Sequence, residues 1–210
     1  MPSERPALRI LIVDDHPILR EGVAAILANQ TDLLVIGEAC DGTEAVSRFR
    51  ELRPDVVLMD LQMPGMGGIE ATEAIRAEFP KARIIVLTTY AGDVQAVRAL
   101  RAGAAGYLLK SSVRTELVDA VRRVHRGERH LHRDVADGIA LHVVDEPLSA
   151  REIAILRLIS IGKANKAVAW ELQIAEETVK SHLKSIFAKL DVADRTHAVT
   201  VAARRGIIEL

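Results

Sequence analysis

Two alternating periods over the first 126 residues constrain this chain more than any other feature. Short apolar runs at Leu8–Val13, Leu33–Ile36, Val56–Met59, Ile84–Leu87 and Gly106–Leu109 lack the polar alternation of a half-exposed strand. Between them the spacing turns helical, as in Ile18, Val23, Ile26 and Leu27, and again in Val94, Val97 and Leu100. Such runs suit strands covered on both faces, and the intervening helices make parallel strand–helix–strand units. Five units predict a doubly wound α/β sandwich, strand order 2-1-3-4-5, closed by a helix from Val113 to His125.

Beyond residue 126 the character changes. Residues 127–147 are rich in His, Arg and Asp and end in Pro147, which reads as a linker with a short helix near Val135–His142. His130 and His132 are clustered there, but no Cys or acidic partner sits at ligand spacing, so a solvated hinge is the preferred reading over a metal site. Residues 148–210 are helical throughout. Ser149 with Glu152 three positions on is a capping box. Gly162 ends that first helix, Asn165 starts a second, Gln173–Ala175 turns into a third from Glu176 to Leu190, and a fourth runs from Arg195 to Arg205. Short helices joined by a tight turn make an all-α, four-helix helix-turn-helix domain.

Composition narrows the function classes. The chain is 49% hydrophobic and 27% charged, the balance of a globular protein with a real core. The polar, proline-containing start from Met1 to Arg9 carries no export signal, and no apolar run approaches the length of a bilayer. Cys40 is the single cysteine, which excludes an internal disulfide and favours a reducing, cytoplasmic home. Aromatic content of 3% argues against a stacking platform for single-stranded nucleic acid. From Pro147 onward ten Lys/Arg face seven Asp/Glu, +3, while the first 146 residues hold 18 basic and 22 acidic residues, −4. The two halves are built for different partners.

The chemistry concentrates at strand ends. Asp14 and Asp15 follow the first strand, Asp60 the third, Thr88 and Thr89 the fourth, and Lys110 the fifth. Open parallel sheets form their sites beyond the carboxyl ends of the strands, and in this order strands one and three are neighbours. Two like charges about 5 Å apart repel by about 3 kcal/mol at an effective dielectric of roughly 20. Three acids therefore call for a cation, and hard oxygen ligands suit Mg²⁺, or Mn²⁺ in its place. Carboxylates, a hydroxyl and an ammonium around a metal form a phosphoryl-handling set, with Asp60 as nucleophile, Lys110 neutralising the transferred oxygens and Thr88 bonding one of them.

The stretches "ILIVDDHP", "DVVLMDLQMPGMGG", "VLTTY" and "GAAGYLLK" resemble the receiver domain of two-component response regulators over residues 7 to 126. The resemblance implies that Asp60 accepts a phosphoryl group from a sensor histidine kinase. It implies a Mg²⁺ site of Asp14, Asp15, Asp60 and the Gln62 backbone carbonyl, with Asp15 favoured over Asp14 as direct ligand. Thr88 and Tyr107 would be the switch pair, Thr88 moving toward the phosphoryl group and the Tyr107 ring turning inward behind it. A phosphohydrolase is the enzymatic alternative, but that class wants a second acid two residues after the nucleophile, where Gln62 stands; the chain is read as a regulator and not an enzyme. A constitutive receiver serving only as a dimer module is disfavoured by the complete acid set.

Residues 148 to 208 resemble the LuxR-type DNA-binding domain, and a receiver followed by this output is the NarL/FixJ subclass. Val179, Leu183, Ile186 and Leu190 form one buried stripe of the third helix, leaving Glu177, Ser181, Lys184 and Ala188 outside with Thr178 and Lys180 flanking. Such a helix fits the major groove of double-stranded DNA. Lys180, Ser181 and Lys184 are expected to reach base edges or nearby phosphates, and Thr178 a phosphate near the helix start. The family's capping Ser before this helix is Ala175 here, at a cost of about 1 kcal/mol. Trp170 stands where a small or charged residue is usual; packing on the neighbouring domain, touching the DNA backbone and filling a local gap all remain open. With only +3, one copy should bind weakly, so a homodimer is expected at specific sites, with Val199, Ala202 and Ala203 equally assignable to dimer contact or core.

Overall fold

Alternation within each strand decides the layering. In the computed structural model, which describes residues 6–89, 92–142 and 145–208, the strands are β1 Leu8–Val13, β2 Leu33–Ala39, β3 Val56–Asp60, β4 Ile84–Thr88, β5 Gly106–Leu109 and β6 His130–Leu131. Ile10 and Ile12 of β1, Val56 and Leu58 of β3, and Ile85 and Leu87 of β4 enter one buried cluster. Their neighbours Leu11, Val13, Val57, Met59 and Ile84 enter the other. Both faces are therefore covered, and each central strand is apolar at consecutive positions. The first cluster packs under α1 (Pro17–Ala28) and α5 (Val113–His125), the second under α2 (Gly42–Leu52) and α3 (Gly68–Glu78), while α4 is Asp93–Arg101.

The sheet order is β2-β1-β3-β4-β5-β6, all parallel. The first five strands lie in the expected order. The sixth was not foreseen: a two-residue strand with His at its first position has no apolar run to announce it. It corrects the solvated-hinge reading of the segment after α5, since His130 is buried and pairs with Gly106. Among the described residues the chain forms two compact units, the first of residues 6–89 and 96–135 and the second of residues 92–95 and 136–208. A helix does follow in this segment, α6, Arg133–His142.

The second unit is built from α7 (Ala150–Ser160), α8 (Asn165–Glu171), α9 (Glu176–Leu190) and α10 (Arg195–Arg204). The capping box is present, with the Ser149 side chain accepting from Glu152 N and Glu152 accepting from Ser149 N. Ile155, Leu156, Ile159 and Val168 close on the α9 stripe of Val179, Leu183, Ile186 and Leu190. Ala202 is fully buried in this core, which removes it as a dimer-contact residue; Val199 and Ala203 pack at its edge. No helix among the described residues is long and apolar enough to cross a membrane. Residues 1–5, Tyr90 of the "VLTTY" stretch and the final two residues lie outside the described residues.

Candidate functional site

β1 and β3 are hydrogen-bonded neighbours, so the residues just past Val13 and at the tip of β3 converge. Asp14 is fully buried and Asp60 is 2% exposed. Burial of Asp60 follows from the loop behind it. Gly68 N donates to Leu61 O at 3.0 Å, and a side chain at Gly68 would meet the Asp60 carbonyl oxygen at 1.9 Å, so only glycine lets α3 start so close to the acid. Gly65, at φ 73°, supplies the left-handed turn of the same loop.

Lys110 reaches across from the end of β5, its Nζ 2.8 Å from Asp14 Oδ2 and 2.9 Å from Asp60 Oδ2. These are ion-pair distances, yet Asp14 Oδ2, Asp60 Oδ2 and Asp15 Oδ1 each lack a partner of hydrogen-bond geometry. Burial pushes the Asp60 carboxyl above its usual range, against the opposing pull of Lys110, while Asp14 adds to the push. For Lys110, burial favours the neutral amine, but Asp14 and Asp60 outweigh it and hold the ammonium more firmly than usual. Three carboxylates against one ammonium leave a formal charge of −2, which one divalent cation balances.

Ligand atoms of Asp14, Asp15, His16 and Asp60 all lie within 4.8 Å of one another. His16 was missed in the sequence. Its Nδ1 is 2.8 Å from Asp15 Oδ1 and 3.3 Å from Asp14 Oδ1, and its position directly after the acid pair was the available signal. Gln62 is exposed on the loop, and its backbone N–H is among the groups that favour the charged form of Asp60. Thr88 ends β4 and is buried. The Tyr107 ring is fully buried, so it lies inward here, where the expectation had it turn inward on switching. Its hydroxyl meets no partner of hydrogen-bond geometry, and burial, only partly offset by nearby Thr88, pushes its pKa up to about 12.

In the second unit, Thr178, Lys180, Ser181 and Lys184 are all exposed on α9. Lys180 Nζ lies 3.1 Å from Glu177 Oε2, so part of its charge is already answered. Lys189 is turned inward to Glu146 at 3.0 Å and Glu152 at 3.1 Å. Ala175 gives α9 no side-chain cap; its carbonyl accepts from Thr178 N and Val179 N. Trp170 is 84% exposed, which excludes the gap-filling role.

One chain therefore carries an acid pocket at its sheet's carboxyl edge and a helix-turn-helix unit. The family "Response regulator receiver domain" matches residues 10–122, and "Bacterial regulatory proteins, luxR family" matches residues 146–202. The transcriptional regulatory protein LiaR of Bacillus subtilis is 44% identical over 209 residues, covering 96% of this chain and 99% of LiaR. The response regulator VraR of Staphylococcus aureus is 38% identical over 207 residues, with 96% and 99% covered. A solved structure of two RcsB dimers bound to two parallel DNAs matches with a TM-score of 0.71 at 27% identity, covering 94% of this chain and 98% of that one. The chain belongs to the two-component response regulators of the NarL/FixJ subclass, transcriptional regulators with a receiver and a LuxR-type DNA-binding domain.

Proposed function

We propose that Asp60 is the phosphoacceptor of this regulator and that its phosphorylation controls DNA binding through α9. The observation that carries this reading is the convergence of two buried carboxylates, Asp14 and Asp60, on one ammonium, Lys110, at the sheet's carboxyl edge. An Asp60 oxygen attacks the phosphorus of the kinase's phosphohistidine. The O–P bond forms as the N–P bond breaks, and the departing imidazole keeps the electron pair. Mg²⁺, or Mn²⁺ in its place, would be held by Asp14, Asp15, Asp60 and the Gln62 carbonyl, and it supplies charge neutralisation for the transferred oxygens. Three clustered carboxylates whose inward oxygens are met only by Lys110 and His16 fit that donor set.

Lys110 neutralises the charge that develops beside Asp60, and the Thr88 hydroxyl donates to one transferred oxygen. Phosphorylation adds about −2 charge at the tip of β3. A tenfold change in active population needs only about 1.4 kcal/mol of differential stabilisation. In this reading the inward Tyr107 ring is the arrangement that phosphorylation holds in place. The kinase approaches over α1, where Ile18 is 85% exposed and a groove of about 620 Å³ runs along Leu19, Val23, Ile26 and Val113 to Thr89 and Lys110. An apolar helix face beside the acceptor is what a partner helix needs to deliver its phosphohistidine.

On the output side Lys184, Ser181, Lys180 and Thr178 face the DNA, and a homodimer doubles contacts that one mildly basic domain provides sparingly. The test is footprinting on genomic fragments with and without a small phosphodonor and Mg²⁺. The wild type gains protection on treatment, and Asp60→Asn does not. An equal gain in the variant contradicts the assignment.

A further inference from the structure

The segment after α5 holds a second group of ligand atoms. β6 continues the ladder past its end, with His130 N donating to Ala105 O at 3.1 Å and His132 N to Tyr107 O at 3.0 Å. Extended chain puts residues two apart on one face. Both imidazoles therefore meet the same carboxylate of α5: His130 Nε2 is 3.5 Å from Glu116 Oε2, and His132 Nε2 is 3.4 Å from Glu116 Oε1. Ser112 Oγ lies 2.9 Å from His132 Nε2.

His130 is only 7% exposed, and neither of its ring nitrogens has a hydrogen-bond partner. Burying an imidazole whose Nδ1 meets nothing and whose Nε2 has only the long contact to Glu116 is costly unless another species takes a lone pair. Two His and one Glu are the donor set of zinc sites that leave a fourth position to water. Two ligands each about 2.0–2.1 Å from one tetrahedral ion stand about 3.4 Å apart, close to the 3.5 and 3.4 Å that separate the two imidazoles from different oxygens of the Glu116 carboxylate. Among the described residues only the acid pocket brings three such ligand atoms within 4.8 Å of one another, so this trio closes on an ion only when its side chains draw together.

We propose that His130, His132 and Glu116 bind a divalent transition-metal ion of the zinc class. The ion fastens β6 to α5 and makes the receiver sensitive to a second ligand, chemically distinct from the oxygen-liganded cation of the acid pocket. Nitrogen donors favour zinc over magnesium, so the two sites sort their metals by ligand type.

The test uses the full chain, stripped with a chelator, held in excess Mg²⁺ and titrated with Zn²⁺ against a chromogenic chelator. One Zn²⁺ per chain is expected. His132→Asn and Glu116→Gln, which spare the buried His130, each weaken binding about tenfold or more. Their circular dichroism and their phosphorylation by a small phosphodonor stay unchanged. Co²⁺ gives the strong visible absorption of a four-coordinate site in the wild type and loses it in both variants. The proposal is overturned if no Zn²⁺ binds under excess Mg²⁺ or if both variants bind as the wild type does. It is equally overturned if binding survives His132→Asn but vanishes in Asp15→Asn, which places the ion in the acid pocket.

Discussion

The acid pocket of the receiver and the outer face of α9, the two sites proposed to act, are built on opposite terms. In the pocket, Asp14 and Asp60 are buried and share one lysine, so each charge is placed at an energetic cost that only a specific use explains. On α9, Thr178, Lys180, Ser181 and Lys184 are exposed and cost nothing to carry. Buried chemistry declares itself by the penalty of its position; surface recognition declares itself only by the scaffold that presents it.

That contrast can be broken by experiment, beginning where the effect is largest. Lys110→Ala leaves two buried carboxylates without their ammonium and is expected to abolish most of the phosphodonor-dependent gain in DNA affinity, measured by fluorescence anisotropy on a footprinted site. A variant that keeps the full gain would show that the pocket's charge pairing is incidental.

Next comes the polar knot beneath α9. Glu152 is 3% exposed and bonds Ser149 N at 2.7 Å, Ser185 Oγ at 2.7 Å and Lys189 Nζ at 3.1 Å. Burial opposes its charge, but these partners win and bring its pKa from 4.5 to about 2. Because the folded value is depressed, the stabilisation is fully present above pH 4.5 and is lost as pH falls toward about 2. Glu152→Gln is expected to cost about 2–3 kcal/mol in urea unfolding at neutral pH and to flatten that acid dependence. Equal acid sensitivity in the variant would assign the loss to other groups.

The smallest effect is expected on α9 itself. Lys184→Ala should lower DNA affinity by about 1–3 kcal/mol if the side chain reads a base, or lower it uniformly across sequences and reduce the salt slope by about 1 if it touches phosphate. Folding should not change. No effect on affinity in any sequence would remove Lys184 from the interface.

The same contrast explains what was legible in the sequence. Strand order and the acid set could be read because buried parallel strands and strand-tip carboxylates leave few alternatives. β6 could not be read, since its place in the sheet comes from backbone bonds to Ala105 and Tyr107 and not from an apolar run. Glu116 was invisible as a partner of His130 and His132 because helical packing, not spacing along the chain, brings it there. Ile18 shares the helical spacing of α1 but is exposed, because periodicity marks a face without saying whether the fold or a partner covers it. Ala202 was ambiguous for the same reason and proved to be core.

The central claim is that the acids past β1 and β3 make Asp60 a phosphoacceptor. Intact-protein mass spectrometry after treatment with a small phosphodonor and Mg²⁺, followed by reductive mapping of the acyl phosphate, tests it most directly. The account predicts one added phosphoryl group per chain, located at Asp60 and absent from Asp60→Asn. A phosphoryl group mapped to another residue, or none at all in the folded wild type, would contradict it.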